Sequence, residues 1–490
     1  MSTISMPKPD QSILDKKYEI IAALNKILPS DAVIFEKSET LAYECDALTA
    51  YRCSPLAVVL PRDTAEVSAI MKLCSKLGVP VVPRGSGTSL AGGALPTKDS
   101  IILGTNRLTQ VLEIDTSNRF IRVQTGVTNL SVTGSVESEG FFYAPDPSSQ
   151  LACAIAGNIA MNSGGAHCLK YGVTTNNLLG VTMVLADGEI VEIGGAHLDT
   201  AGYDLLGLVC GSEGQLGIVT EAILRILPKP EGARPVMIGY DDPRVAGTCV
   251  ADIIKAGILP VAIEYMDRLT IQATDKFSGA GYPDVEALLI VEVEGSDEEI
   301  DYQLEKIIKI ANKLNPAELR QSNSEEESAL IWKGRKSAFG AVGQIADYIC
   351  LDGTVPVSQL AHVLGEIGDL SKKYNLQVAN VFHAGDGNMH PLILYNANDP
   401  VELEKAELLG ADILRTCVEA DGCLTGEHGV GIEKRELMTS QYSNQDMEMQ
   451  MSVKDCFDPN WLLNPAKVYP LHLSEARRDG LKASRESGVK

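Results

Sequence analysis

The sequence predicts an α+β chain of more than one domain, and three observations carry that prediction. Its 490 residues exceed what a single hydrophobic core usually serves. A strand-helix-strand pattern at 56–82 runs straight into a glycine-rich loop, PRGSGTSLAGG at 83–93. Beyond a break at LPKPEG (227–232) the elements follow a βαββαβ order, the split ferredoxin-like unit with an antiparallel sheet.

Taken in order, residues 13–28 place Ile13, Ile20, Leu24, Ile27 and Leu28 on one helical stripe that Pro29 stops, giving a helical segment within residues 1–50. LAVVL at 56–60 reads as a buried strand. Asp63 and Glu66 mark a helix start, Val67, Ile70, Met71, Cys74 and Leu77 keep its apolar spacing, and Gly78 ends it before a strand at 79–82. Residues 101–225 continue as β-rich segments, interrupted by the glycine clusters GNIAMNSGG (157–165) and GSEGQLGIVT (211–220). Past the linker, strands are expected at 236–240, 260–266, 286–294 and near 318, with helices at 243–257, 298–314, 358–374 and 401–420. The expected division is 51–230, 231–430, and a segment 431–490 that packs back on the first domain.

Composition removes several classes. A net charge of -23 argues against a nucleic-acid partner, which needs clustered cations. No apolar run reaches the roughly 18 residues of a membrane span, and MSTISMPKPD lacks a cationic then apolar leader, so a cytoplasmic location is expected. The 11 cysteines contain no C-x-x-C pair, so neither zinc-ribbon nor iron–sulfur spacing is present. Most should be buried small apolar residues.

The loop at 83–93 clusters Gly85, Gly87, Gly92 and Gly93 around Ser86, Thr88 and Ser89. Such a loop can turn several backbone N–H groups toward one anion, a diphosphate for example, or can simply turn the chain. A Rossmann loop would read G-x-G-x-x-G and open into a helix; this one has Leu90 and leads to another strand, IILG. No G-x-x-x-x-G-K-[ST] occurs either. Three separated glycine clusters in one domain-sized region fit a long ligand threaded along backbone.

A second concentration of chemistry lies in VANVFHAGDGNMHPLILY, 378–395. Asp386-Gly387 between strand-like runs is a hairpin signal, and with that pair at the centre His383 would face His390. Two imidazoles so placed can share a divalent metal, or one can hydrogen-bond in a core while the other is exposed. A metal would need a third ligand, for which Glu427 in LTGEHGVG is a candidate, with His428 a candidate base. Three of the seven histidines fall in these two stretches.

The motifs PRGSGTSLAGG, APDPSS, GNIAMNSGGAHCLKYG, GSEGQLGIVT, FHAGDGNMH, GEHGVG and FDPNWLLNPAK occur in that order across about residues 40–470. With them the chain closely resembles the vanillyl-alcohol-oxidase (PCMH-type) FAD flavoproteins, in the branch of D-lactate, D-2-hydroxyglutarate and glycolate dehydrogenases. The resemblance implies a PCMH-type FAD-binding domain at 51–230 and an FAD-linked oxidase cap, the substrate domain, at 231–430. It places the FAD pyrophosphate on Arg84, Gly85, Ser86, Gly87, Thr88 and Ser89. It assigns Asp146, Ser148, Gly157, Asn158, Asn162, Gly172, Glu213, Gly217 and Ile218 to the rest of the flavin site, with Asn464 near the ring. Thr88 stands where covalently flavinylated relatives often carry histidine, which favours non-covalent FAD.

At the substrate end the resemblance implies a divalent metal, Zn or Mn, held by His383, His390 and Glu427, with His428 as general base. It gives Arg335 the role of clamping the substrate carboxylate, although periodicity alone reads Lys333, Arg335 and Lys336 as a solvated helix face. The implied reaction oxidises a small 2-hydroxy acid, with a hydride passing from Cα to flavin N5. Cys350 stands where relatives acting on 2-hydroxyglutarate carry lysine, which favours glycolate or D-lactate. The implied partners are an iron–sulfur subunit and a second flavin-type subunit, with peripheral membrane association through them. The other readings are a D-lactate dehydrogenase working alone and a non-catalytic flavin-binding subunit.

Overall fold

The computed structural model describes residues 4–197 and 201–486. These form two compact units: one contains the described residues within 4–163, 173–228 and 428–486, and the other contains Gly164–Gly172 and Lys229–Glu427.

The first unit carries two sheets. In one, the strands Ala57–Val59, Ile101–Gly104 and Val81–Arg84 lie parallel in that order, with Val33–Ile34 antiparallel at the Ala57 edge. Leu56 to Leu60 are all buried, as expected of a parallel strand covered on both faces. The helix Thr64–Leu77 covers the sheet with Val67, Ile70, Met71 and Cys74. Each fully buried side chain of this size stabilises by roughly 1.5–3 kcal/mol. The ends of that helix are as the sequence marks them: Asp63 accepts the Glu66 N–H at 2.8 Å, and Gly78 takes the left-handed conformation, φ 68°. The other sheet is antiparallel, in the order Val111–Asp115, Phe120–Gln124, Ile218–Arg225, Leu178–Val184, Ile190–Gly194.

The second unit is built on the expected βαββαβ core. Its strands Gly232–Tyr240, Ala262–Asp267, Ala287–Gly295 and Glu318–Gln321 lie with the fourth beside the first, then the third, then the second, all antiparallel. Helices Pro243–Lys255 and Asp297–Lys313 make the two crossovers. The sheet continues past Ala262–Asp267 into Val378–His383, which brings the histidine-rich segment onto the same surface.

Three expectations need correction. The stripe at 13–28 is two shorter helices, Gln11–Asp15 and Lys17–Leu24, because Lys16 leaves helical geometry at ψ 6°. The linker at 227–232 is half paired: Leu227–Pro228 joins Phe141–Phe142 in a two-stranded edge where proline is tolerated, and Gly232 already opens a strand. A helix, Arg268–Ser278, fills the connection between the second and third core strands. Asp267 caps it by accepting the Thr270 N–H at 3.0 Å, a start signal hidden at the end of an apolar strand.

Candidate functional site

In the first unit the glycine clusters and the carboxy-terminal NPAK segment come together. Gly85 lies against the first turn of Ile155–Met161, where a Cβ on it would sit 3.4 Å from Ala154 Cβ and from the Gly157 nitrogen. Gly211 and Glu213 donate N–H bonds to the carbonyls of Ile159 and Ala160 at 2.8 and 2.7 Å. Asn464 donates from Nδ2 to the carbonyls of Gly93 (3.1 Å) and Glu213 (2.6 Å). Arg84 is buried, donates to the Cys45 carbonyl at 2.9 Å, and lies over the Tyr43 ring.

The donors here fit a dinucleotide cofactor. The N–H groups of Ser86, Gly87, Thr88, Ser89 and Leu90 find no acceptor among the described residues, and Gly87 has φ 75°. Consecutive half-buried donors of this kind make a nest for phosphate oxygens. Space is open beside Gly157, and the buried Oδ1 of Asn464 is an acceptor with no partner among the described residues.

Other assigned side chains have contacts of their own. The Glu213 carboxylate accepts the N–H groups of Val430 (2.6 Å) and Gly431 (2.8 Å), so it shapes the turn that follows His428. Asn158 hydrogen-bonds Asn129 in the interior, and Asn162 caps its helix at φ 53° while accepting the Thr175 N–H. Ile218 is core, Gly217 abuts Met183, Asp146 is half-buried and Ser148 is exposed. Gly172 belongs to the second unit.

In the second unit, the hairpin register differs from the expected one. His383 pairs with Asn388 and Asn380 with Pro391, so the loop is 384–387 and the register is offset by two. Asp386 accepts the Asn388 N–H at 3.1 Å, Gly387 adopts φ 77°, and its carbonyl takes the Val355 N–H at 3.0 Å. The strand Asn388–Met389 is thereby pinned on its other side to Gly353–Thr354. An even offset keeps side chains on their face, so the two imidazoles still meet, perpendicular with centroids 5.3 Å apart.

Both turn Nε2 toward one carboxylate: Glu427 Oε1 lies 3.5 Å from His383 Nε2 and 3.1 Å from His390 Nε2. Ligands at about 2.1 Å from a shared tetrahedral ion would be roughly 3.4 Å apart. The other ring nitrogens are engaged, His383 Nδ1 with Glu264 at 2.8 Å and His390 Nδ1 with the Leu351 carbonyl at 3.1 Å, the orienting contacts that metal-ligating histidines make. Glu427 is held from behind, its Oε2 accepting the Gly164 N–H at 3.0 Å and its own N–H donating to the buried Asp352. Burial works against the charged forms, but the mutual attraction wins. His383 is held well above the usual imidazole range by Glu264 and Glu427, and Glu427 well below the carboxylate range by the two histidines. Two imidazole nitrogens and a carboxylate oxygen are a donor set that fits Zn or Mn.

Arg335 does not lie on a solvated face. Lys333 and Lys336 are exposed, whereas Arg335 is 4% exposed and its Nη2 lies 2.6 Å from Glu264 Oε2. One turn earlier on the helix Glu325–Val342, Trp332 donates to Glu292 at 2.6 Å, and His167 meets the same carboxylate at 3.3 Å. Sequence reading passed over Glu264, Glu292, Glu294 and Asp352. The first three interrupt otherwise apolar strands, which is the signal that could have found them.

An FAD binding domain model matches residues 55–194, and the model of the FAD linked oxidases, C-terminal domain, matches 229–468. Glycolate oxidase subunit GlcD of Escherichia coli (strain K12) is 46% identical over 473 residues, 96% of this chain and 95% of that protein. The chain belongs to the FAD-linked oxidases. D-lactate dehydrogenase of Archaeoglobus fulgidus is 32% identical to this FAD-linked oxidase over 458 residues, 91% of this chain and 98% of that one. The structure of p-cresol methylhydroxylase superposes with TM-score 0.79 at 16% identity, covering 96% of this chain and 99% of the other, which shows the PCMH-type fold. FAD is its cofactor. Among the described residues no helix is long and apolar enough to cross a membrane.

Proposed function

We propose that this FAD-linked oxidase converts a small 2-hydroxy acid, glycolate or D-lactate, to the 2-oxo acid and passes the electrons to an acceptor other than a nicotinamide nucleotide. The observation that carries this reading is the convergence of His383, His390 and Glu427 on one surface that also holds the buried guanidinium of Arg335. A cation-binding donor set beside an anion-binding group matches the two demands of a hydroxycarboxylate. The relatives named for glycolate and D-lactate support the same substrate class.

Bound FAD would supply a two-electron acceptor, and bound Zn or Mn would supply Lewis acidity toward the substrate oxygens. Arg335 pairs with the substrate carboxylate through donors not used by Glu264. His428 takes the hydroxyl proton, while the electron pair of the Cα–H bond leaves as hydride. Residues 51–230 serve as the FAD-binding domain, with the backbone of Arg84 to Ser89 holding the diphosphate non-covalently, and 231–430 serve as the substrate cap. Cys350, buried and without a cationic side chain, offers no positive charge to a second carboxylate, which favours a monocarboxylate.

With cysteines scattered and no iron–sulfur spacing, electrons leaving FAD need an external acceptor. An iron–sulfur subunit beside a second flavin-type subunit fits a relative that is itself named as a subunit, and would place the chain in the cytoplasm, peripheral to a membrane. The match to D-lactate dehydrogenase along most of both chains favours the second reading, an enzyme acting alone. Copurification with a cysteine-rich partner distinguishes the two.

The test is anaerobic flavin bleaching by glycolate, both lactates and D-2-hydroxyglutarate. Glycolate or D-lactate should reduce the holoprotein; failure of all four with FAD and metal both bound sinks the assignment. His428→Ala should retain FAD and lose substrate reduction by at least about 100-fold, the usual scale of a lost general base.

A further inference from the structure

The carboxylate of Glu264 is engaged at both oxygens by groups with different tasks, through a hydrogen bond at Oε1 and through an ion pair without hydrogen-bond alignment at Oε2. Oε1 lies 2.8 Å from His383 Nδ1 and Oε2 lies 2.6 Å from Arg335 Nη2. Its side chain is fully buried, in the strand Ala262–Asp267, where backbone pairing sets Glu264 directly opposite His383. A buried carboxylate in the middle of a strand is costly unless both oxygens are matched, and removing either partner leaves a charge without compensation. The geometry is therefore that of a bridge: one rigid strand residue fixes the ring plane and tautomer of His383 through one oxygen and the azimuth of the Arg335 guanidinium through the other. Among the described residues the Nε of Arg335 is buried with no hydrogen-bond partner, which leaves the guanidinium dependent on its ion pair with Glu264.

We propose that Glu264 is a positioning residue that couples the two halves of the substrate site, so that the orientation of Arg335 and the metal affinity of the histidine pair depend on each other through its carboxylate. This rests on the reading of His383, His390 and Glu427 as metal ligands. With Glu264 in place Nδ1 is kept as the donor, so the proton that the charged imidazole would give up to a metal is the one on Nε2. Without the charge the ring is free to change tautomer, and Arg335 swings away from the surface.

The experiment measures Mn²⁺ dissociation constants of metal-stripped, FAD-loaded protein by electron paramagnetic resonance of the free ion. Wild type, Glu264→Gln, Arg335→Met and the double variant are compared, with FAD content recorded for each. Glu264→Gln should weaken Mn²⁺ by about 10–100-fold, the range for lost outer-shell partners, with FAD content unchanged. Arg335→Met should weaken it several-fold in the wild-type background and not at all beside Glu264→Gln. Equal effects of Arg335→Met in both backgrounds, or wild-type affinity in Glu264→Gln, overturn the coupling. Should Glu264→Gln fail to fold, Glu264→Asp retains the charge but can reach only one partner, and wild-type Mn²⁺ affinity there overturns the proposal equally. If wild type itself binds no Mn²⁺ or Zn²⁺, it is the metal reading that fails, and Glu264→Gln should then lower only kcat/KM through Arg335.

Discussion

Buried charge is where single residues decide most in this chain. Asp46 is 5% exposed and accepts N–H bonds from Leu48 and Ala94, which ties it to the end of the glycine loop. Burial pushes its carboxyl up to about 6 from the ordinary 3.8. The folded protein therefore binds more protons than the unfolded chain between those values, and its stability falls as pH rises through that window. Lys467, 1% exposed, runs the other way: burial pushes its ammonium down to about 7 from 10.5, so stability rises with pH across that interval. Asp46→Asn should flatten the acid limb by roughly 3 kcal/mol and Lys467→Met the alkaline one by roughly 5 kcal/mol. The readout is the difference in denaturation free energy from wild type across pH, since lost hydrogen bonds contribute only a constant offset. A parallel pair of curves would show that neither group titrates in its window.

Elements were legible in the sequence where one local signal settles them. The Asp63 cap, the Gly78 stop and the βαββαβ order are of that kind, because capping and periodicity act within a few residues. The hairpin register was not, because a contact distant in sequence sets it: Val355 donates to the Gly387 carbonyl and its strand neighbours pair with Asn388–Met389. Candidate ligands survived the error since an offset of two preserves the face. Arg335 was misread as solvated for a related reason, as its partner Glu264 lies far away in sequence. The hairpin should be intolerant at Gly387, where φ is 77° and an added Cβ would overlap the Val355 carbonyl oxygen. Gly387→Ala should cost about 3 kcal/mol or more and lower the bound metal per protein. Gly387→Asn separates the causes: asparagine tolerates the left-handed region, so recovery would mean that φ and not the backbone contact is limiting.

At the scale of the whole molecule, the two sets of site residues belong to different compact units although their motifs interleave along the chain. The nest at 86–90, Gly157 and Asn464 fall in one unit; His383, His390, Glu427, Glu264 and Arg335 fall in the other, joined there by the excursion Gly164–Gly172. That excursion is held by side chains of the second unit: Glu294 takes Lys170 at 2.8 Å and also Tyr171, while Glu292 takes His167. Sequence order cannot reveal such a division, since GNIAMNSGG reads as one motif yet is split between Ser163 and Gly164. The division has a thermodynamic consequence. Ligand groups held in different compact units need not lose affinity together, so FAD and the proposed metal should be separable by mutation. His390→Ala should reduce bound metal at least tenfold while FAD per protein stays at the wild-type value, measured by metal analysis and flavin absorbance on one preparation. Non-covalent attachment, expected because Thr88 stands where covalently flavinylated relatives often carry histidine, predicts that acid precipitation releases all of that flavin. A joint loss of metal and FAD in His390→Ala would mean that the two sites are built as one cooperative structure.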